Sequence, residues 1–594
     1  MRSIYILCFL LWVKGDLTCQ KHDYTWLLGY DRSDLMDDSI YGTTIMDFNT
    51  LDLIPKIYYD GKKILDFALS SGINCLSDSN GIYQFSFNGE EFENFKNKLI
   101  KNSQSLYNLG PDEFICWAGG NSGLIIPNFK KPNSYLIYFM VCTLFRKPSS
   151  HTGGFKLIQC EIDMNLNNGE GEMINKGKLV FQDTLDYKNP VATRHANGRD
   201  WWLILTEFNS NHYHIFLSTP DGVKFIRSQE IGESIVSDWG QSAFSSDGRH
   251  YVKCSGDVGD TATNFVIFDF DRCSGELSNY YRFKFPYLTF AAGCSFSPNS
   301  KYLYIGYAYD LYQVDLTESP YRLESVIVYD SFIGDIERGF PYENAFGFME
   351  VGPDGKIYNC PTYTGARSLN IIEFPNKKGF ACNALQHSLK LPTPTTSMPV
   401  HPNYRLGPID GSVCDSLGIN NYPVAEFRYK QDTTNHLKIE FTDLSYYEPT
   451  EWYWDFGDLG SIDSTSRDTS PIHIFSNIGI YEVCLKVKNA NGENLICKEL
   501  QLGTVATKET NKNRSIVSIY PNPIKDQFTL MIHDYIPMDA HLVVTNQIGQ
   551  EIFKSKIFHG WNSMNIINLP NGVYYYSCYD KKIQLGKGKL IKLN

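Results

Sequence analysis

No Cys-x-x-Cys pair occurs in this 594-residue chain, although it carries 15 cysteines. That spacing excludes a zinc ribbon and a dense disulfide framework. Positive charge is short: 54 Lys and Arg against 66 Asp and Glu leave a net charge of −12. A chain of that sign is a poor wrapper of nucleic acid or of an anionic membrane, and no stretch interleaves Lys or Arg with aromatics. Long apolar runs are missing as well. The run at 4–13 is too short to span a bilayer, and no later one approaches the length a membrane span requires. There is no H-E-x-x-H, no G-x-S-x-G, no P-loop and no G-x-G-x-x-G after a strand. No catalytic, cofactor-binding or metal-binding residue is therefore assigned, and the chain leans away from an enzyme.

Aromatic residues are plentiful, with 39 Tyr and 37 Phe. Flat rings suit half-buried pleated surfaces, so a β-rich chain is expected and a disordered one is excluded. The length fits about three domains, or one repeat array with additions. At the N-terminus, Arg2 precedes the apolar run and Lys14-Gly15-Asp16 follows it. Residues 1–19 read as a secretory signal peptide cleaved near Cys19–Gln20. Thirteen cysteines then remain, an odd number, so at least one is unpaired and most are expected as small buried hydrophobes.

A repeat organises the first two thirds. Cys294-Ser295-Phe296-Ser297-Pro298-Asn299-Ser300 leads into an alternating strand, and Ala243-Phe244-Ser245-Ser246-Asp247-Gly248 and Val351-Gly352-Pro353-Asp354-Gly355 repeat the grammar. Looser copies surround Asn80, Ser134 and Gly198. Each copy reads as a strand, a two-residue hairpin turn and a second strand. The markers Asn80, Ser134, Gly198, Gly248, Ser300 and Gly355 are 54, 64, 50, 52 and 55 residues apart. That is the size of a four-stranded propeller blade. Residues 24–405 number 382, or about 55 for each of seven blades; six or eight also fit the spacing. Residues 406–423 and 503–515 are polar and read as linkers, bounding units at 424–502 and 516–594. The expected fold is all-β: a propeller followed by two immunoglobulin-like sandwiches.

The second unit carries Phe441-Thr442-Asp443, then Trp452-Tyr453-Trp454-Asp455-Phe456-Gly457-Asp458, then His473, then Gly479-Ile480-Tyr481-Glu482-Val483. This ordered set resembles the PKD domain, a β-sandwich, with Asp443, Trp454, Asp455, Gly457, Asp458 and His473 on its motif. Leu459 and Phe475 depart from that pattern. The third unit has Tyr520-Pro521-Asn522-Pro523, a turn at Gly549, the strand start Gly572-Val573-Tyr574, and Lys587 and Lys589 near its end. It resembles the type A C-terminal sorting domain of type IX secretion in Bacteroidota. The resemblance implies export through that machinery to the medium or the outer-membrane surface. Through Leu76-Ser77-Asp78-Ser79-Asn80-Gly81, Asp269-Phe270-Asp271-Arg272-Cys273-Ser274-Gly275 and Tyr404-Arg405-Leu406-Gly407-Pro408-Ile409-Asp410-Gly411-Ser412, the propeller half is similar to secreted proteins of the same bacteria. That similarity implies a fold, a location and companion domains but no activity.

Several residue groups invite a chemical reading. His212 and His214 share a strand face, but no third ligand is near in sequence, so two strand histidines are the better reading. His195 and His250 flank turns, and His473 reads as a structural hydrogen-bonder. Asp257 with Asp260, and Asp269 with Asp271, are neighbours in sequence without the cross-cleft separation that glycosidase chemistry needs. Gly119-Gly120-Asn121-Ser122-Gly123 reads as a turn. Trp201 and Trp202 send rings to opposite sheet faces, and Tyr302, Tyr304, Tyr307, Tyr309 and Tyr312 crowd one blade; such rings stack on sugars or anchor a partner when they leave the core. Cys484 and Cys497 are symmetric about the 489–492 turn and are expected as a cross-strand disulfide.

The first functional reading is a non-enzymatic binding or adhesion protein for a glycan or surface protein, with the propeller as scaffold and the PKD unit as spacer. The alternative is a polysaccharide-active enzyme with its site in the propeller mouth. No cofactor is expected under either. If the third unit is an address, the host should cut within 504–515, and mass spectrometry of extracellular protein should find a C-terminus near residue 510. Deleting 587–594 removes the closing strand and should trap the protein in the periplasm. Intact Asn594 outside the cell, or normal export of the deletion, would refute this.

Overall fold

The computed structural model describes residues 20–592 except 31–41, 61–73, 111–112, 117–122, 145–151, 187, 189, 236–239, 257–262, 286–292, 308, 333–345, 362–366, 396, 503–516, 521–523, 526, 533–539, 548, 559 and 582. Among them the regular elements are β-strands, apart from two short 3-10 turns at Asn167–Gly169 and Gly379–Cys382. Seven antiparallel sheets follow in chain order across 25–60, 74–94, 113–185, 191–230, 242–285, 293–328 and 349–390. Each of the last four is a four-stranded meander, as the repeat length requires.

The shared grammar of the repeat has a physical basis in its turns. Ser245 Oγ donates to Asp247 Oδ1 and accepts from the His250 amide, while Ser297 Oγ donates to Asn299 Oδ1 and accepts from the Tyr302 amide. The Ser245 and Ser297 amides bond the carbonyls of His250 and Tyr302, so each loop holds four residues and not two. The extra residues are accommodated because the Asp247 and Asn299 side chains also accept from the amides two positions on. Gly248 and Ser300 take φ of 70° and 58° in these loops.

Apolar clusters then join the sheets into a closed propeller. One cluster unites the first and second sheets around Leu27 and Cys75, and another unites the second, third and fourth. Three more link the fourth to fifth, fifth to sixth and sixth to seventh. The ring closes where Trp26 and Phe48 of the first sheet meet Tyr358 and Leu369 of the seventh. The first strands Val191–Arg194, Ser242–Phe244, Gly293–Phe296 and Met349–Val351 lie side by side around the axis. They approach so closely that a Cβ on Gly293 would sit 1.9 Å from the Gly347 carbonyl oxygen. Gln241 spans this narrow part: Oε1 accepts from the amides of Cys294 (3.2 Å) and Met349 (2.9 Å), and Nε2 donates to the Met349 carbonyl (2.6 Å).

The chain after the seventh sheet crosses one end of the ring. Thr393 bonds Thr44, Val400 accepts from Asn74, His401 Nε2 meets the Cys75 carbonyl, Asn403 donates to Ser246 and Tyr404 OH donates to Ile125. The stretch read as a linker, 406–423, is docked: Arg272 donates to the Gly407 carbonyl, the Ile409 amide to Ala196, and Cys414 is bonded to Cys273. It leads into a sandwich of a three-stranded and a four-stranded sheet around Trp454. The third unit has the same two-sheet arrangement around Leu530 and Leu542. Disulfides also join Cys116 to Cys142 and Cys484 to Cys497; the remaining seven described cysteines are buried thiols. Replacing Gln241 with Leu strips two buried amides of their acceptor and should lower propeller stability by about 2–4 kcal/mol, read as an earlier urea midpoint than in wild type.

Candidate functional site

A cavity of about 620 Å³ lies between the ring and the sandwich docked on it. Its inner wall is formed by the ends of the fifth, sixth and seventh first strands, and Gln241 lines it where it bridges them. The crossing segment, Val400 to Arg405, forms one side, and Glu440 to Tyr446 of the sandwich form the roof. Asn299, Asn376, Lys377, Ser470 and Ile472 line its exposed side.

Charged groups on this wall answer one another. Arg405 donates from both terminal nitrogens to Asp23, at 2.6 and 2.5 Å, bringing together residues 382 positions apart. Burial alone would raise the Asp23 pKa, but Arg405 outweighs it and holds the carboxyl below its usual range. Arg428 of the sandwich donates to the Glu373 carbonyl and lies 3.6 Å from its carboxylate, which Lys356 and Lys430 also approach, at 3.3 and 3.4 Å. These cations overcome the desolvation of Glu373 and lower its pKa. Asp443 accepts from Ser445 and from Trp452 Nε1, yet burial pushes its pKa up to about 6. Glu350 accepts from the His401 amide at 3.3 Å, and burial raises its pKa well above the ordinary glutamate value.

The other residues singled out in the sequence lie elsewhere. His212 sits between Glu207 (2.7 Å) and Glu230 (3.6 Å), and buried His214 meets Ser228 Oγ at 3.0 Å. His250 pairs with Asp269, and Asp271 holds its own turn through Cys273 and Ser274. His195 accepts from Asn197 and packs on Trp202. Asp257, Asp260 and positions 119–122 lie outside the described residues. Among the described residues no group of three or more His, Cys, Asp or Glu is arranged to hold a metal ion. Trp201 and Trp202 do face opposite ways, but both rings are buried, one in the cluster with the third sheet and one with the fifth. Tyr304 and Tyr307 are core residues, Tyr302 and Tyr312 half-buried, and Tyr309 is exposed and stacked on Tyr329.

The motif residues of the second unit form its inner scaffold. Trp454 is fully buried and donates to the Asp468 carbonyl. Asp455 accepts from the Gly457 amide, and Gly457, at φ 65°, packs against Glu482, whose carbonyl oxygen a Cβ would approach to 2.6 Å. His473 Nε2 meets Asp458 at 3.1 Å and its ring stacks on Phe456 at 4.2 Å. Cys484 and Cys497 are directly opposed on paired strands. In the third unit Gly549 turns at φ 82°, and Gly572, Val573 and Tyr574 begin a strand whose partner carries Lys587 and Lys589. Tyr574 OH donates to the Pro570 carbonyl; Tyr520 ends a strand, and Pro521, Asn522 and Pro523 lie outside the described residues.

Comparison with known proteins follows this division. The model of the PKD domain matches residues 420–502, and that of the secretion system C-terminal sorting domain matches 518–592. Those two segments are a PKD domain and a sorting domain. The PKD1 domain of the Vibrio cholerae metalloprotease PrtV is 26% identical over 14% of this chain and 98% of its own, with a TM-score of 0.12. A Bacteroides uniformis protein assigned as a 6-phosphogluconolactonase is 12% identical over 62% of this chain and 97% of its own, with a TM-score of 0.31. The Dos1 propeller is 8% identical over 63% and 84%, with a TM-score of 0.32. No curated protein matches the chain. The sorting domain marks the protein as secreted or attached at the cell surface through the type IX machinery. No described helix is long and apolar enough to cross a membrane.

The Glu373 cluster should govern docking of the PKD domain. Because its pKa is depressed, its contribution is complete above the ordinary glutamate value of about 4.3 and is lost only as pH falls through the lower value. Glu373→Gln should therefore speed proteolysis within 406–423 at pH 7, and wild type should match the variant only in stronger acid. Equal cleavage rates at pH 7 would refute the assignment.

Proposed function

We propose that this secreted protein is a non-enzymatic binding protein whose ligand enters the chamber between the propeller and the PKD domain. Each of the seven sheets is read as one blade. The carrying observation is the chamber itself, whose volume falls within the range of about 300–1,000 Å³ typical of small-ligand sites. Its arginines and Asp23 are committed to ion pairs, an arrangement suited to holding a shape and poor for moving protons. The PKD domain then serves as part of the site, a closer role than a spacer, because Arg428 and Lys430 fasten it to the propeller through Glu373. The sorting domain is an address and takes no part in binding.

One observation favours the enzyme reading: the raised carboxyl of Glu350 is the kind of group that serves as a general acid. A paired carboxylate across the chamber would be needed for glycoside hydrolysis. Glycan and protein arrays probed with the secreted chain test the binding reading. Saturable capture of a defined component supports it; turnover of that component, abolished by Glu350→Gln, would replace it with the enzyme reading, and no capture on either array would overturn it.

A further inference from the structure

The chamber has a chemical bias that narrows its ligand. Asp23 is answered by Arg405, Arg428 by Glu373, and Asp443 by Ser445 and Trp452. Two other charged residues on the wall, half-buried Glu440 and exposed Lys377, have opposite signs. Glu350, half-buried on the first strand of the seventh sheet and bonded to the His401 amide, is biased by burial toward its neutral acid form. Desolvation lowers the pKa of His401 on the same wall. The rest of the polar lining is hydroxyl and amide, to which Ser242, Ser246, Asn299, Thr442 and Ser470 contribute, and half-buried Phe374 and Tyr446 are aromatic residues of the same lining.

An anionic ligand finds no uncommitted cation deep in this chamber and would have to compete with Asp23 for Arg405. A purely apolar ligand would strip water from the hydroxyls without replacing their hydrogen bonds, at about 1–3 kcal/mol for each group left unpaired. A polyol carries both donors and acceptors and satisfies hydroxyls of either orientation. The apolar face of a sugar ring also stacks on an aromatic ring. We propose that the chamber binds a neutral, hydroxyl-rich ligand, a short oligosaccharide without carboxylate or sulfate groups, between the fifth to seventh sheets and the PKD domain. This rests on the binding reading above.

The test is calorimetric titration of the full secreted chain with two panels at pH 7: neutral cello-, xylo-, malto- and manno-oligosaccharides, and charged oligogalacturonates and heparin fragments. At least one neutral sugar should bind. Thr442→Trp fills the space from the PKD side and should weaken that binding at least about tenfold, the equivalent of 1.4 kcal/mol. Ser246→Trp should do the same from the propeller side, which guards against a folding defect in either variant. Binding confined to the charged panel overturns the proposal. So does neutral-sugar binding untouched by both tryptophans, although the protein then remains a binding protein with its site elsewhere. If neither panel binds while the protein array yields a ligand, the sugar assignment alone falls; if the arrays are also empty, both readings fall.

Discussion

A propeller must close, and among the described residues no strand is shared between the first and seventh sheets. Closure falls instead to side chains, Trp26 and Phe48 against Tyr358 and Leu369, and to the segment that follows the last strand. That segment is irregular, so its backbone groups need partners outside a ladder. It finds them across the end of the ring, on Thr44, Asn74, Cys75, Ile125 and Ser246. The bidentate pair between Arg405 and Asp23 locks this arrangement, because it joins the chain just before the first strand to the chain just after the last blade. A buried ion pair adds little net stability relative to an apolar substitute, but losing one partner costs about 3–5 kcal/mol. Its value here lies in register: it permits one path of the crossing segment and penalises others.

From that path the position of the PKD domain follows. Residues 406–423 have no strand of their own, yet Arg272, Ala196 and the Cys273–Cys414 bond hold them to the fourth and fifth sheets. The PKD domain begins where this fastened stretch ends. It is therefore delivered to the end of the ring, where Glu373 gathers Arg428 and Lys430. Pro408 packs against Gly198 so tightly that a Cβ there would lie 2.6 Å from the proline ring. Close packing at each step leaves the chamber as the space between the ring and the PKD domain.

The sequence made some of this visible and concealed the rest, for reasons of range. Turn chemistry is local, so the Ser-x-Asp/Asn-Gly/Ser grammar disclosed the repeat and its period. The loop length was misjudged because Ser245 and Asp247 cap the turn with side chains, which a two-residue template ignores. The PKD and sorting motifs were legible because Trp454, Gly457, His473 and Gly549 serve short-range packing or turns. Cys484 and Cys497 were legible for the same reason: one hairpin sets their register. Asp23 with Arg405, Glu373 with Arg428 and Cys273 with Cys414 are separated by 382, 55 and 141 positions. No periodicity connects such pairs, and only the ring geometry brings them together.

The same distinction explains why an apparent linker is docked against the propeller. Polar, turn-rich composition marks a segment that builds no core of its own, and 406–423 builds none. It does not distinguish a segment left in water from one whose amides are taken up by a neighbouring domain. Asn421 makes the difference plain. Its amide nitrogen donates to the Pro408 carbonyl, and its own carbonyl accepts from Asn489 of the PKD domain, so a residue typical of loops becomes a buried link between the docked stretch and the PKD domain. A spacer needs none of these bonds, whereas the two-domain site proposed above needs them all, since a shift of either wall changes the shape that its ligand must fill.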